Sequence, residues 1–408
     1  PSTALAVTAM QSRKHRAAYY PGRYSDATPT PTWHAENDLR FASDPYAEDL
    51  LRMFNYLLTR MGVVQVAAAD EADDLTTPMP GTNDGFGLVF EVNGTAYNQG
   101  IGAAALAGSG LAGTLAQVGD PNRILYKPIE FIAQQAVDAL VWHQNDQGTS
   151  YPGSFYYSPN AGTDDASTSA WMYSGLYAMA NSPMKARGLY VNNMVWARIG
   201  SFLQQAARQQ AVGGVAFAYR VSNAGSFQLS AAPLMAMGLM GWTNPQWQNS
   251  SALIPMNAGF ALNVNSTRGQ AYQTFRNLMT YYHNAWPGTV VAGQDYNAWF
   301  WGMWAGDAAG YNRADDQYNL YAIGWLAKGL TAVGVDCVGG TEAFDASGAC
   351  VGNANDWRHQ FTTLLVRRQG ADGTWLTSGF NQIISHAINS FDPTMKNSLA
   401  VLTLGLSQ

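Results

Sequence analysis

The sequence predicts an all-α fold. It reads as a single α/α toroid over residues 1–408, with inner and outer rings of about five to six helix pairs and long Gly- and aromatic-rich loops. Three observations predict it. Apolar segments of small residues alternating with Leu or Met recur at helical spacing. Longer amphipathic segments stand between them. The connecting loops exceed the roughly 12–15 residues of ordinary connections, which points to loops that cover a cavity mouth or carry function.

In chain order, the small-residue segments are Ser2–Met10, Thr95–Gly108, Ser167–Ala180, Phe227–Met240, Gln317–Leu330 and Met395–Leu406. Small side chains on a helix face let neighbouring helices approach closely, so these are the expected inner helices. The amphipathic segments are Tyr46–Met61, Pro128–Gln144, Lys185–Gln210, Gly269–Trp286 and Asp356–Arg368. Their apolar residues fall at i, i+3, i+4 with Gln, Arg or Asn opposite, as an outer helix requires. Residues 1–45 then form an N-terminal inner helix and extended loop, and 46–408 form five outer/inner repeats. Tyr19–Leu39 and Pro78–Phe90 are Pro-, Gly- and Thr-rich and read as extended loops within the domain. A linear solenoid would show shorter turns and polar capping repeats.

With 47% hydrophobic and only 12% charged residues, the chain can bury a large core and must solvate its surface with Asn, Gln, Ser, Thr and Gly. That balance suits an extracellular protein. A net charge of −6 argues against a nucleic-acid partner. The basic clusters Arg13–Arg16 and Arg367–Arg368 are short and read as solvated helix ends. The apolar run Ile101–Gly119 lacks the large side chains of a membrane span, so no spanning segment is expected. Cys337 and Cys350 flank a Gly-rich loop with no CxxC spacing and no neighbouring His. A local disulfide is the expectation, two free thiols the alternative. A bridge implies an oxidising compartment. The opening at Pro1, without a charged-then-apolar leader, fits a processed secreted chain. The localisation expected is secreted or cell surface.

The joints between outer and inner helices carry a family likeness. The stretch 358–375 (RHQFTTLLVRRQGADGTW), with Gln369, Gly373 and Trp375, resembles the Gln–Trp repeat of squalene–hopene cyclases and related prenyltransferase-like toroids. Weaker copies start at Asn83 (NDGFGLVF), Gln144 (QNDQGTSYPGSFYY) and Gln210 (QAVGGVAFAY). The resemblance implies that the Gln caps the next helix while the aromatic ring packs on the turn. It also implies a place for the acidic motif of class II cyclases, at an inner helix start. The nearest matches are 162–167 (GTDDAS) and 313–317 (RADDQ). Gly162 and Arg313 replace the first Asp of that motif, which helps keep a proton on its neighbour. The zinc ligands of the prenyltransferase branch and the thioester sequence of the complement-like branch have no counterpart in this chain.

Candidate catalytic residues are therefore Asp164, Asp165, Asp315 and Asp316. Each pair has a structural reading as a helix N-cap and a functional one as general acid or base. A helix N-terminus favours the charged carboxylate and so opposes the acid role. Candidate ligand-binding rings are Tyr156, Tyr157, Trp171, Trp299, Trp301, Trp304 and Tyr311. Exposed, they would take sugar faces or apolar chains; buried, they would fill the core, the favoured reading for Trp171. The six His residues are scattered without HxH or HExxH spacing, so neither a metal nor another cofactor is expected. Two functions remain. The leading one is an extracellular binding or self-assembling protein, forming a homo-oligomer, surface layer or filament, or holding a glycan or apolar polymer through aromatic loops. The alternative is an enzyme using Asp164 or Asp315 on a polyisoprenoid or polysaccharide.

Overall fold

The computed structural model describes residues 2–12, 46–66, 84–91, 95–146, 149–211, 213–222, 225–226, 229–252, 267–286, 320–338, 356–375 and 393–406. The described chain is mostly helical. Its helices are α1 (Ser2–Ser12), α2 (Ala47–Thr59), α3 (Ala96–Ala107), α4 (Ile129–Trp142), α5 (Ala166–Ala180), α6 (Asn193–Ala206), α7 (Ala231–Leu239), α8 (Arg268–Ala285), α9 (Leu320–Ala332), α10 (Trp357–Arg368) and α11 (Pro393–Leu406). Each falls on a segment expected to be helical. The expected outer segment Lys185–Gln210 divides into a 3-10 turn (Pro183–Arg187), α6 and a short strand.

Among the described residues, five short strands accompany the helices: β1 (Met61–Gln65), β2 (Phe86–Phe90), β3 (Arg208–Gln209), β4 (Val215–Ala218) and β5 (Gly225–Ser226). β1 pairs antiparallel with β2, with Met61 opposite Phe90 and Gln65 opposite Phe86. β4 sits between β3 and β5, antiparallel to both. These hairpins lie between α2 and α3 and between α6 and α7, where an amphipathic helix is followed by a small-residue one. Between α4 and α5 the same joint shrinks to a single bridge, Gln144 to Phe155.

The chain clusters into two compact units. The first holds Pro1–Asn145, Phe155–Ala161 and Trp171–Val195; the second holds Asp146–Ser154, Gly162–Ala170 and Trp196–Gln408. In the first, α3 packs on α1, α4 and β2. Glycine lets α3 come close to β2 and to α5. A Cβ on Gly100 would lie 2.2 Å from the Trp171 carbonyl oxygen, and one on Gly102 would lie 2.4 Å from the Phe90 ring. Helix α2 is amphipathic as expected: Leu50, Leu51, Phe54, Leu57 and Leu58 are buried while Arg52 faces solvent. Helix α4 departs from its expected outer role. Its polar residues Glu130, Gln134, Gln135 and Asp138 are buried with the rest. Segments on either side meet two of them, Glu130 accepting from the Gly113 N–H and Gln134 from the Tyr190 N–H, while Gln134 donates to Asp138 within the helix.

The second unit repeats the small-residue packing. Helix α9 packs on α7 and α11. A Cβ on Gly238 would meet the Ala332 carbonyl oxygen at 2.5 Å, and one on Gly329 the Ala231 carbonyl oxygen at 2.6 Å. Two helix starts are strongly capped. Thr267 and Gln270 form a reciprocal capping box on α8, and the Asp356 carboxylate accepts the Arg358 and His359 N–H groups of α10. No described helix is long and apolar enough to cross a membrane.

Candidate functional site

The turn 369–375 after α10 is held by side-chain hydrogen bonds within the turn and back to the helix, and Gln369 does not cap the next helix through its Nε2. Gln369, just past α10, donates from Nε2 to the Gly373 carbonyl at 2.7 Å. The Trp375 indole is buried and donates from Nε1 to the Leu365 carbonyl in the last turn of α10 at 2.8 Å. One of the helix's orphan C-terminal carbonyls is thereby satisfied. At the Gln144 joint the Phe155 ring is fully buried and meets Tyr173 edge-on at 6.0 Å. There Gln144 donates from Nε2 to the Val195 carbonyl at 3.3 Å.

The first acidic pair sits at the start of α5. Asp165 is fully buried and is the N-cap. Its Oδ1 accepts from the Thr168 N–H at 2.9 Å, the Ser167 hydroxyl at 2.6 Å and the Thr168 hydroxyl at 3.1 Å. Its Oδ2 is buried and has no hydrogen-bond partner among the described residues. Asp164 is also buried, and its Oδ2 accepts the Val221 N–H at 2.8 Å. Burial raises the Asp164 pKa above the usual carboxylate value, and the neighbouring Asp165 adds to this; the Val221 hydrogen bond and Arg220 work against it. Both carboxylates thus brace backbone, and one is biased toward holding a proton.

Tyr156 and Tyr157 are half-buried and meet edge-on at 5.1 Å, and Tyr97 of α3 stacks on Tyr157 at 5.6 Å. Trp171, by contrast, is only 2% exposed. It is a core residue of the first unit and presents no face to a ligand, because its helix is small-residue on the side where α3 arrives. Asp315, Asp316, Trp299, Trp301, Trp304 and Tyr311 lie outside the described residues. Cys337 is fully buried at a bridge to Asp356, and no free thiol occurs among the described residues. Cys350 lies outside them. Among the described residues no cluster of His, Cys, Asp and Glu could hold a metal ion.

The sequence reading missed a cleft of about 230 Å³ in the first unit, where the ends of α1, α2, β2 and α3 meet. Tyr56, Arg60, Glu91 and Asn98 line it over a floor that includes Phe90 and Gly102. Glu91 has φ 68°, a left-handed conformation that carries a strain of about 1–3 kcal/mol in a residue other than Gly. It is held there from two sides. Its N–H donates to the Arg60 carbonyl at 3.0 Å, and its Oε2 accepts from Asn98 Nδ2 at 2.5 Å. The Arg60 guanidinium stands 3.7 Å from the Glu91 carboxylate. Nothing in the one-dimensional pattern marks Glu91, since the strain arises only once β2 ends against α2.

Comparison with known families, curated proteins and solved structures returns no match for this chain.

Proposed function

We propose that this chain is a secreted or cell-surface binding protein without catalytic activity, which takes an extended neutral ligand, a glycan, on half-exposed tyrosines. The observation that carries the reading is the Tyr97–Tyr157–Tyr156 cluster. Three half-buried rings in successive contact keep part of their surface open. The acidic joint beside it in sequence serves as a helix cap. The low charge of the chain suits a neutral partner over nucleic acid, and self-assembly through the same rings is the other form this binding can take.

The proposed architecture is an α/α toroid like that of squalene–hopene cyclases. Its support is the recurring order of amphipathic helix, hairpin or bridge, and small-residue helix. Within each unit, alternate helices also meet through their small faces, as α3 does with α1 and α9 does with α7 and α11. A local Cys337–Cys350 disulfide belongs to the same proposal.

The test is retention of the purified chain on immobilised neutral polysaccharides, with particle size read in parallel by electron microscopy. Retention, or an ordered assembly, that weakens on joint Tyr156→Ala and Tyr157→Ala substitution is expected. A monomer that no polysaccharide retains would sink the reading. One observation favours a second reading, an enzyme with Asp164 as general acid: burial raises the pKa of its carboxyl, and the Asp165 Oδ2 beside it has no partner among the described residues. In that case Asp164→Asn abolishes turnover of a polysaccharide or polyisoprenoid; under the binding reading there is no turnover to lose.

A further inference from the structure

We infer that the cleft between Tyr56, Arg60, Glu91 and Asn98 is a subsite for a single neutral hydroxylated ring, one sugar unit. The inference rests on the glycan-binding reading above and gives it a second, separate place on the chain. Size comes first. At about 230 Å³ the cleft is smaller than the roughly 300–1,000 Å³ of pockets for drug-sized ligands, so one ring fits where an oligomer does not.

Charge comes second. Arg60 and Glu91 stand 3.7 Å apart and cancel, so an anion entering the cleft meets the Glu91 carboxylate and a cation meets the Arg60 guanidinium. A neutral ligand meets neither penalty. The available polar atoms come third. The separation of 3.7 Å is too long for a hydrogen bond, which leaves the guanidinium N–H groups able to donate to hydroxyl oxygens. Asn98 commits its Nδ2 to Glu91 and keeps its carbonyl oxygen for a hydroxyl donor. Tyr56 is 53% exposed, so its ring can lie against the C–H face of a sugar while its hydroxyl reaches the rim.

Glu91 is the residue that ties these together. Its carboxylate orients both Asn98 and Arg60, and its backbone holds a left-handed conformation that glycine would adopt without strain. Binding and stability should therefore separate at this position. Glu91→Gly relieves the strain and removes the carboxylate that sets the two polar partners.

The experiment titrates the full chain with glucose, galactose, mannose and N-acetylglucosamine, followed by saturation-transfer NMR and calorimetry. At least one of these sugars binds. Arg60→Met and Tyr56→Ala each weaken it by about tenfold, and Glu91→Gly weakens it while the thermal midpoint holds or rises. Joint Tyr156→Ala and Tyr157→Ala substitution lowers retention on polysaccharide, whereas Tyr126→Ala, at an exposed ring outside both places, leaves monosaccharide affinity unchanged. Sugar binding that Arg60→Met, Tyr56→Ala and Glu91→Gly all leave intact overturns the subsite while glycan binding stands. Saturation of the cleft by a zwitterion such as glycine betaine, with no sugar bound, overturns the ligand class. Absence of all sugar and polysaccharide binding overturns both readings.

Discussion

Asp165 anchors three hydrogen bonds on one carboxylate oxygen and buries the other. The two oxygens therefore predict different outcomes for different substitutions. Asp165→Ala removes the cap of α5 and should cost about 1–2 kcal/mol in urea unfolding. Asp165→Asn keeps an acceptor for the Thr168 N–H and deletes a buried charge, so it should recover most of that loss. Equal losses from both would mean that the charge, not the cap, is what the helix start needs. His143 gives a pH dependence of definite sign. Burial pushes its pKa below the usual His value, only partly offset by the contact of its Nδ1 with the Ala139 carbonyl at 2.8 Å. The unfolded chain then binds a proton that the native state refuses. His143 stability is present above pH 6.5, the ordinary value, and is lost as pH falls from there through the lowered native pKa. Between pH 7.5 and 5.5 the urea midpoint of the parent chain should fall further than that of His143→Gln, which can still donate to Ala139. Equal slopes would clear His143 of this role.

At the scale of elements the small-residue helices decide the packing. Alanine exceeds glycine in helix propensity by about 0.8–1 kcal/mol, so Gly→Ala within an exposed helix stabilises. At Gly100 the sign should reverse. The added Cβ would sit 2.2 Å from the Trp171 carbonyl oxygen and 2.3 Å from its carbon, and backbone there cannot swing aside. Overpacking of this kind costs about 1–3 kcal/mol, which outweighs the propensity gain. Gly100→Ala and Gly238→Ala should each lower the thermal midpoint; a rise at either would show that the crossing is looser than its glycines indicate. This pattern was legible in the sequence because glycine spacing within an apolar helix has one main physical use, close approach. The hairpins were not legible. β1 and β2 are five residues each, β3 and β5 only two, and a run that short inside a Gly-rich loop shows no periodicity to read. Helix α4 misled for a different reason. Gln and Glu on one face look solvent-exposed in sequence, yet Gly113 and Tyr190 bring backbone N–H groups that cover them. Of the candidate site, the cap at Asp165 could be read in advance, and Tyr156 and Tyr157 only as rings whose exposure the sequence left open. The Glu91 cleft could not, because it depends on tertiary contacts of a single strained residue.

At the scale of the whole molecule the two compact units are interleaved along the chain. The second unit claims Asp146–Ser154 and Gly162–Ala170, while the intervening Phe155–Ala161 and the following Trp171–Val195 belong to the first. Helices α5 and α6 each run without a break from one unit's residues into the other's. Ordinary domain boundaries fall in linkers that few contacts cross, and such domains can unfold one at a time. A boundary inside a helix is different. Melting the residues on one side frees the last turn on the other and exposes its buried residues, here Trp171, Met172 and Tyr173 next to the break in α5. Unfolding in guanidinium should therefore be one transition, with far-UV circular dichroism and the fluorescence of the 13 Trp residues giving the same midpoint. A fragment ending at Asn145, which lacks Phe155 and all of α5, should fail to give a cooperative transition of its own. Two separated transitions in the full chain, or a cooperatively folding 1–145 fragment, would show instead that the first unit completes its core without α5.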